Sequence, residues 1–378
     1  MFVVSASSLA LLAGAAGMSL FIRGGSVECR FKRVLESMKV EVTVRRSKRF
    51  VWGKRMWVDM PLGISSADIQ KRSQAISEAL HRDIEVRFDQ REGLLVDVLE
   101  RSLERTIPYA YQPAGWNVPI GRNRYGEVVH YDFQGGYPHL LIAGISGGGK
   151  SVCLRSILTS LSLGPKPLMF LCDLKGGVEL GIFRDLAHVQ VFATDLEGVL
   201  NSARQAAVIM RKRYALMARR GQQEWIGKRV VFVIDELAEL RIWGRDDARK
   251  ALKNAIKEQL NELSAKGRAA GIDLILATQR PTVDVIDGAI KTNIATTIAF
   301  RTRDGVQSRV ILDNDRAASL PDIPGRCIIQ QRSDEVIQAF NLPYAQARDL
   351  LETVQRRTAD DRHVKKDLQA HGNTLELG

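Results

Sequence analysis

The sequence has few of the residues that build metal or disulfide sites. Its four cysteines form no Cys-x-x-Cys pair, and its six histidines include no His-Glu-x-x-His motif. This spacing excludes a zincin-type hydrolase and the usual zinc sites, and it predicts no disulfide framework. A reduced compartment is the default expectation for such a chain. The sequence also contains no internal repeat and no low-complexity tract.

What the chain does have is an ordinary globular composition with an excess of positive charge. Hydrophobic residues make up 45% and charged residues 26% of its 378 residues. At roughly 150 residues per domain, this length predicts two to three domains. The 55 lysines and arginines outnumber the 43 acidic residues, which leaves a net charge of +12. Such a surplus favours a polyanionic partner, either nucleic acid or an anionic membrane face, without choosing between them.

The N-terminal segment over 1–22 carries no charged side chain. As a helix it would extend roughly 33 Å, enough to cross a hydrocarbon core of about 30 Å. The first positive charges, Arg23 and Arg30, follow this run, whereas a secretory signal has them before it. The positive-inside rule then predicts a single-pass protein of the cell membrane whose remaining chain is cytoplasmic. A buried helix and a cleaved leader are the alternatives.

Periodicity and composition divide the rest of the chain into further parts. The segment over 23–37 is predicted to be a basic juxtamembrane stretch. Such a stretch is more typical of a contact with lipid headgroups than of a DNA site. Alternating strands around a helix over 67–81, with Ser66 as its N-cap, predict a small α+β domain. The expected order is a juxtamembrane segment over 23–37, a small domain over 38–115, a larger domain over 116–350 and a polar tail over 351–378.

The larger domain contains short, continuously apolar runs that alternate with helical stretches. Runs of this kind are typical of parallel strands buried on both faces. They predict an α/β fold class with a mainly parallel sheet. The runs cover 139–144, 168–173, 189–194, 230–236, 273–279, 296–300 and 326–330.

A glycine-rich segment between an apolar strand and an apolar helix reads GISGGGKS and satisfies the pattern G-x-x-x-x-G-K-[ST]. Its backbone N–H groups and the helix N-terminus suit a phosphate, Lys150 reaches the β- and γ-phosphates, and the Ser151 hydroxyl ligates Mg²⁺. The segment therefore predicts a site for ATP and Mg²⁺. The predicted nucleotide-binding residues are Gly144, Ile145, Ser146, Gly147, Gly148, Gly149, Lys150, Ser151 and Val152.

Polar side chains at the ends of later strands complete the predicted site. Asp235 is expected to hold the metal through water, and Glu236 is the candidate base for the attacking water. Gln279 is expected to sense the γ-phosphate or to orient water. Among three arginines beyond the next strand, Arg309 is singled out as a group that reaches the nucleotide of a neighbouring subunit. A surface charge or a DNA-phosphate contact is an equally good interpretation of it.

Several segments resemble the FtsK/SpoIIIE family of DNA-pumping motors, namely HLLIAGISGGGKSV, DLKGGVEL, VVFVIDELAEL, SRVILD and the stretch over 266–300. The resemblance covers about 130–330, and ATQRP-x-VDVI followed by IK-x-NI is its most specific part. It implies a RecA-like P-loop NTPase core, a homo-hexameric ring and double-stranded DNA threaded through the channel. It also implies the roles given above for Lys150, Ser151, Asp235, Glu236 and Gln279.

The chain also departs from the cell-division members of that family. It shows one short apolar segment, no long linker and no room for a winged-helix domain after the last predicted strand. A LPDIPGR segment over 320–326 stands where the family has G-x-G-D-M, which leaves the geometry of this loop open. A short, singly anchored motor is similar to the coupling or transfer ATPases of Gram-positive conjugative plasmids and integrative elements. This similarity implies a relaxase or other transfer proteins as partners.

The sequence thus predicts a membrane-anchored, ATP-driven translocase of double-stranded DNA, with three alternatives. A chromosome-segregation translocase would need a polarity-reading module in trans. A protein-export ATPase of the type VII kind normally has several P-loop domains, whereas this chain has one. A membrane-bound binding protein with a degenerate site is disfavoured by the intact Lys150, Asp235 and Glu236.

Overall fold

The structure is a computed structural model that describes residues 25–112, 115–137, 139–242, 246–286 and 288–355. These residues form two compact units. The first comprises 25–103 with 124–126, and the second comprises 104–123 with the remainder from 127. Residues 104–112 and 115, predicted as part of the small domain, therefore cluster with the larger unit.

None of the helices in the described part of the chain has the length and apolar character needed to cross a bilayer. The predicted membrane helix over 1–22 lies outside the described residues, as does the tail beyond 355. Residues 351–355, predicted as the start of the polar tail, instead continue a helix over 344–355. This helix buries Leu351 and Val354, so it belongs to the folded unit.

The first unit is a four-stranded antiparallel sheet in the order β1-β2-β4-β3 with three helices. The strands β1 to β4 are Thr43–Phe50, Gly53–Asp59, Ile84–Asp89 and Gly93–Leu99. The helices α1 to α3 are Val27–Ser37, Ser66–Lys71 and Ser73–Leu80. Apolar side chains from the strands and all three helices form one core, which includes Phe31, Met56, Ile69, Ile76, Leu80 and Val96.

Two expectations for this unit are corrected. The segment predicted as a basic juxtamembrane stretch contains α1, which buries Phe31, Val34 and Leu35 on one face. The single helix predicted over 67–81 is two helices that meet at Arg72. Its N-cap is Ser65 rather than Ser66, because the Ser65 hydroxyl accepts the N–H of Asp68 while the Asp68 carboxylate accepts the N–H of Ser65.

The second unit contains an 11-stranded sheet in the order β10-β9-β11-β12-β8-β13-β14-β15-β6-β7, with β5 paired to β15. Strands β5 to β10 are Ile107–Pro108, Asn117–Asn123, Val128–Asp132, Leu140–Ala143, Leu168–Cys172 and Val189–Ala193. Strands β11 to β15 are Val230–Ile234, Ile272–Thr278, Thr296–Phe300, Arg326–Gln330 and Asp334–Asn341.

The sheet is parallel from β10 to β13 and antiparallel from β13 to β7. This confirms an α/β fold with a mixed, mostly parallel sheet. The run over 326–330 was predicted as parallel, and this is wrong, since β14 is antiparallel to β13. A continuous apolar run reports burial on both faces of a strand but carries no information about its direction.

Helices cover both faces of the parallel strands, which is why those strands are continuously apolar. Helices α4 to α8 are Lys150–Leu163, Leu196–Arg220, Asp247–Lys266, Gly288–Asn293 and Gly305–Leu312, and α9 is 344–355. Core residues of α5 and α6 lie on one face and those of α4 on the other. Because the strands are parallel, the loops after β8, β9, β11 and β12 emerge at one edge, where a ligand site is expected.

All four cysteines are free thiols. Cys153, Cys172 and Cys327 are fully buried. Burial raises the pKa of Cys153 and of Cys172 to about 12, so these thiols are unreactive in the folded chain. Cys29, in the first turn of α1, is exposed.

Candidate nucleotide-binding site

The loop between β8 and α4 has the shape of a phosphate cradle because glycine occupies each strained position. Gly144, Gly147 and Gly149 have φ angles of 153°, 80° and 114°. A Cβ at Gly144 would lie 2.5 Å from Cβ of Phe300, and one at Gly149 would lie 2.8 Å from the nitrogen of Gly325. Nothing lies within 4 Å of a Cβ placed at Gly147, so this side of the loop is open.

Backbone hydrogen bonds hold the cradle from behind. The Ile145 N–H donates to the carbonyl of Arg301 at 3.0 Å, and the Gly325 N–H donates to the carbonyl of Gly148 at 2.8 Å. The segment over 320–326, whose geometry the sequence left open, therefore packs directly against the loop. Helix α4 begins after Gly149 without a side-chain cap, so its first N–H groups suit an anion.

Lys150 is almost fully buried and points into the site. Its exposed fraction is 3%, and its amine donates to the backbone carbonyl of Asp235 at 3.0 Å. Burial lowers the pKa of Lys150, and the nearby charge of Lys175 lowers it further. A phosphate in the cradle would place further negative charge beside this buried ammonium group.

Ser151 follows Lys150 on the first turn of α4. Its hydroxyl donates to Oε1 of Glu179 at 3.0 Å, and Oε2 of Glu179 lies 3.8 Å from the guanidinium of Arg155. The hydroxyl predicted to ligate Mg²⁺ is thus held by a carboxylate from the loop after β9. Because the hydroxyl oxygen keeps its lone pairs, Ser151 could coordinate a metal while this hydrogen bond persists.

Asp235 follows β11 and is 1% exposed. Its Oδ1 accepts the N–H of Leu174 at 2.9 Å, whereas its buried Oδ2 has no hydrogen-bond partner among the described residues. Burial raises the pKa of Asp235 to about 6, nearby Asp173 adds to the effect, and Lys150 partly offsets it. A buried carboxylate oxygen without a hydrogen-bond partner among the described residues fits a water-mediated contact to Mg²⁺, which favours oxygen ligands and retains several waters.

The described residues contain no cluster of three or more His, Cys, Asp or Glu side chains that could hold a metal alone.

Glu236 is 5% exposed and is fixed by groups from two loops. Its Oε1 accepts the hydroxyl of Thr278 at 2.9 Å and the backbone N–H of Gln279 at 3.0 Å. Its Oε2 lies 3.2 Å from the amine of Lys175. The carboxylate is therefore oriented before any nucleotide binds.

The structure places the other predicted residues as follows. Gln279 lies at the same edge of the sheet and contacts Glu236 through its backbone, and its side chain is half-buried. Arg309 is not brought to the loop by its own chain. It lies on α8, its side chain is 56% exposed, and its guanidinium is 3.7 Å from Asp315.

Sequence reasoning missed three residues that contact the predicted ones, namely Thr278, Lys175 and Glu179. The last two stand in DLKGGVEL, directly after a buried strand that ends at the same edge as the P-loop strand. Their position after β9 was the available signal, because parallel strands bring such loops together.

The model of the FtsK/SpoIIIE family matches residues 109–228 and 222–283 of the chain. This region is an FtsK/SpoIIIE-family P-loop ATPase domain. It includes the cradle, Lys175, Asp235, Glu236 and Gln279, so the family predicted from the sequence is confirmed.

Curated relatives of this domain are DNA translocases. The chain is 35% identical over 226 residues to the DNA translocase SpoIIIE of Bacillus subtilis, which covers 54% of this chain and 27% of that protein. It is 38% identical over 221 residues to the DNA translocase FtsK of Caldanaerobacter subterraneus, covering 54% of this chain and 29% of the relative. The chain therefore spans less than a third of the length of these relatives.

Solved structures share the fold over a larger part of the chain. The conjugation coupling protein TcpA of pCW3, in a monomer form with ATPgS, superposes with a TM-score of 0.64 at 23% identity. That match covers 86% of this chain and 99% of TcpA. ATPases 2 and 3 of EssC from Geobacillus thermodenitrificans superpose with a TM-score of 0.56 at 16% identity, covering 68% of this chain and 52% of theirs. At these identities the likeness shows the fold alone.

Proposed function

We propose that this protein is a membrane-anchored translocase that hydrolyses ATP to move double-stranded DNA. The observation that carries the proposal is the arrangement of Lys150, Asp235 and Glu236 at one edge of the FtsK/SpoIIIE-family sheet. Lys150 donates to the Asp235 carbonyl at 3.0 Å, and Glu236 is held by Thr278 at 2.9 Å. A phosphate-binding lysine, a metal-contact carboxylate and an oriented base are thereby available in one place.

The residues of the site divide the chemistry among them. The loop N–H groups and Lys150 bind the phosphates of ATP, and Glu236 takes the proton of the attacking water. Ser151 and Asp235 would hold Mg²⁺, which when bound neutralises charge on the β- and γ-phosphates. Gln279 lies beside Glu236, where its side chain can orient the water. Fixing these groups in advance lowers the reorganisation that the reaction requires.

Three observations support DNA as the substrate and a ring as the working form. The curated relatives of the domain are named DNA translocases. The chain has a net charge of +12, which suits a phosphate backbone. Arg309 has an exposed side chain, and in a homo-hexamer it would reach the nucleotide of a neighbouring subunit.

Within this class we propose the role of a coupling or transfer ATPase of a conjugative element. TcpA, a conjugation coupling protein, matches 86% of this chain and nearly all of its own length. A relaxase or other transfer proteins are the partners that such a role requires. The apolar run over 1–22 supports anchoring in the cell membrane with the ATPase domain in the cytoplasm.

The proposal is tested by measuring ATP hydrolysis with and without linear duplex DNA. We expect DNA to stimulate hydrolysis by the wild-type chain, and we expect Lys150→Ala and Glu236→Gln to abolish it. Lys212→Ala, at an exposed position on α5, is the matched control and should retain activity. A rate that is indifferent to DNA contradicts the proposal, and stimulation by a secreted peptide alone would favour protein export.

DNA binding itself gives a second measurement. Because phosphate contacts should dominate, affinity should fall steeply with salt and vary little with sequence. Strong preference for one sequence, at any salt concentration, would contradict a translocase that moves along arbitrary DNA.

A further inference from the structure

The loop after β9, over 173–179, brings a second lysine to the phosphate side of the site. The amine of Lys175 lies 3.2 Å from Oε2 of Glu236. Its charge adds to the lowering of the Lys150 pKa that burial causes, and it opposes the rise that burial causes in the Asp235 pKa. Lys175 is therefore within electrostatic range of both the P-loop lysine and the carboxylate assigned to Mg²⁺.

The amine of Lys175 is shielded from solvent yet poorly satisfied. Its nitrogen has no well-directed hydrogen bond to any described residue, and its contact there is the ion pair with Glu236. An ammonium group has three donors, and a buried donor without an acceptor costs free energy. A γ-phosphate in the cradle would bring acceptor oxygens to this nitrogen.

The loop that carries Lys175 is fixed at its base and contains two consecutive glycines in its middle. Fully buried Asp173 accepts the N–H of Lys175 at 3.1 Å and the N–H of Leu180 at 2.8 Å. Between these points Gly176 and Gly177 have φ angles of 80° and 79°. A Cβ at Gly177 would lie 3.1 Å from Nη2 of Arg184 and 3.3 Å from Cγ2 of Thr194, so glycine is favoured at this point of the loop.

The same loop also contacts the metal side of the site. Glu179, at its far end, accepts the hydroxyl of Ser151 at 3.0 Å. One loop thus holds the two groups that ATP and Mg²⁺ need, because it engages Ser151 through Glu179 and Glu236 through Lys175. A γ-phosphate would compete with Glu236 for Lys175, whereas Ser151 can keep its bond to Glu179 when it ligates a metal.

We propose that Lys175 binds the γ-phosphate of ATP and that, before ATP binds, it holds the Glu236 carboxylate inactive. This inference rests on the proposed function, since it assumes that ATP binds and is hydrolysed at this site. When ATP occupies the cradle, the Lys175 amine moves from Glu236 to the γ-phosphate oxygens. Oε2 of Glu236 then keeps only the long 3.3 Å hydrogen bond from the Gln279 N–H, while Thr278 and Gln279 hold Oε1 in place.

The hydrolytic step follows from that rearrangement. The oxygen of a water molecule bonds to the γ-phosphorus, and one water proton passes to Oε2 of Glu236. The bond from the γ-phosphorus to its bridging oxygen breaks, and the electron pair leaves with ADP. ADP has no γ-phosphate, so the ion pair between Lys175 and Glu236 persists when ADP is bound and the base remains blocked.

The first experiment compares nucleotide affinities of the full chain, measured with ADP and with a non-hydrolysable ATP analogue in the presence of Mg²⁺. We expect Lys175→Met to weaken analogue binding by ~10-fold to ~100-fold and ADP binding by less than about 2-fold, since a hydrogen bond to a charged group is lost for the analogue alone. Lys175→Arg should restore much of the difference. Lys212→Met is the exposed control and should bind both ligands as the wild type does. Equal effects of Lys175→Met on both ligands overturn the inference.

A second variant keeps the inference falsifiable if Lys175→Met does not fold. Glu236→Gln removes the negative partner of Lys175 but keeps the shape of the side chain. We expect it to bind the analogue more tightly than the wild type by roughly 5-fold to 10-fold, without a matching gain for ADP. An unchanged ratio of the two affinities overturns the inference.

These measurements separate this inference from the proposed function. If the wild-type chain binds neither nucleotide, the proposed function fails. If the wild-type chain binds and hydrolyses ATP, but Lys175→Met weakens the binding of ADP and of the analogue equally, only the role proposed for Lys175 is contradicted.

Discussion

The backbone N–H of Gly325 donates to the carbonyl of Gly148 across 2.8 Å, which fixes the turn before β14 against the phosphate loop. The approach is close enough that a Cβ on Gly149 would lie 3.0 Å from Cα of Gly325. The turn thus sets the position of the cradle without contacting any reacting group.

Replacing Gly325 with alanine should therefore weaken both the fold and nucleotide binding. Gly325 has a φ of 85°, and its new Cβ would lie 2.5 Å from Nε2 of Gln338. The left-handed backbone alone costs ~1 to ~2 kcal/mol for a residue with a Cβ. We expect a lower free energy of unfolding in urea and a nucleotide Kd raised by ~10-fold.

Gly221→Ala is the matched control for this change. Gly221 also has a positive φ, 63°, but nothing lies within 4 Å of a Cβ placed there. It should lose stability while binding nucleotide normally. Equal nucleotide affinities for Gly325→Ala and the wild type would show that the turn does not position the cradle.

The hydroxyl of Thr278 should matter for the rate of hydrolysis and not for binding. It donates to Oε1 of Glu236 at 2.9 Å, so Thr278→Val removes a bond that orients the base. We expect kcat to fall by ~10-fold with an unchanged Kd for ATP. Thr159→Val is the control, because the buried Thr159 hydroxyl has no hydrogen-bond partner among the described residues. A Kd that rises in step with the loss of kcat would contradict this role.

Arg309 should act across a subunit boundary. Arg309→Ala is expected to bind ATP normally and to lose hydrolysis by ~100-fold or more. Mixing Arg309→Ala with Glu236→Gln chains should restore activity, since an intact site then meets an intact arginine. Exposed Arg303→Ala is the control from the same segment. Absence of recovery in the mixture would show that Arg309 does not act in trans.

Acid should destabilise the second unit through His139. This side chain is fully buried, its Nε2 lies 2.9 Å from the carbonyl of Ser264, and its Nδ1 accepts the N–H of Leu274 at 3.1 Å. Burial lowers its pKa from 6.5 to about 4. Between these values the unfolded chain binds more protons, so the stability contributed by neutral His139 is present above pH 6.5 and is lost as pH falls towards 4.

The measurement is the free energy of unfolding in urea for the wild type and for His139→Gln between pH 7 and pH 4. Asp235, whose pKa is raised to about 6, contributes with the opposite sign, so the difference between the two chains is the informative quantity. We expect that difference to shrink on acidification by on the order of 3 kcal/mol. Exposed His81→Asn should follow the wild-type curve, and parallel curves for His139→Gln would refute the assignment.

The parts of this site that follow strand ends were predictable from sequence. The cradle, Asp235, Glu236 and Gln279 each stand directly after an apolar run, and parallel strands bring their carboxyl ends to one edge. Lys175 and Glu179 also follow a strand end, so their place at this edge could be predicted, but their contacts could not. Their partners, Glu236 and Ser151, lie far away in sequence, and only the folded loop shows which side chains meet.

Fewer features of the fold than of the site could be predicted from the sequence. The helix α1 was missed because its charges, Arg30, Lys32 and Arg33, were given more weight than the helical spacing of Phe31, Val34 and Leu35. The direction of β14 was predicted wrongly because its buried run resembles those of the parallel strands. Strands β6, β7 and β15 contain several polar residues and were not among the predicted apolar runs. Strand direction depends on how the connections return, which composition does not encode.

Cys29 is the one exposed thiol among the four cysteines, so it is a site for covalent labelling. With Cys153, Cys172 and Cys327 enclosed, an alkylating dye applied to the native protein will modify Cys29 and leave the other three intact. A single fluorophore can thus be placed on the first unit without any engineering, and the other sulfur atoms become accessible to the reagent only as the second unit denatures.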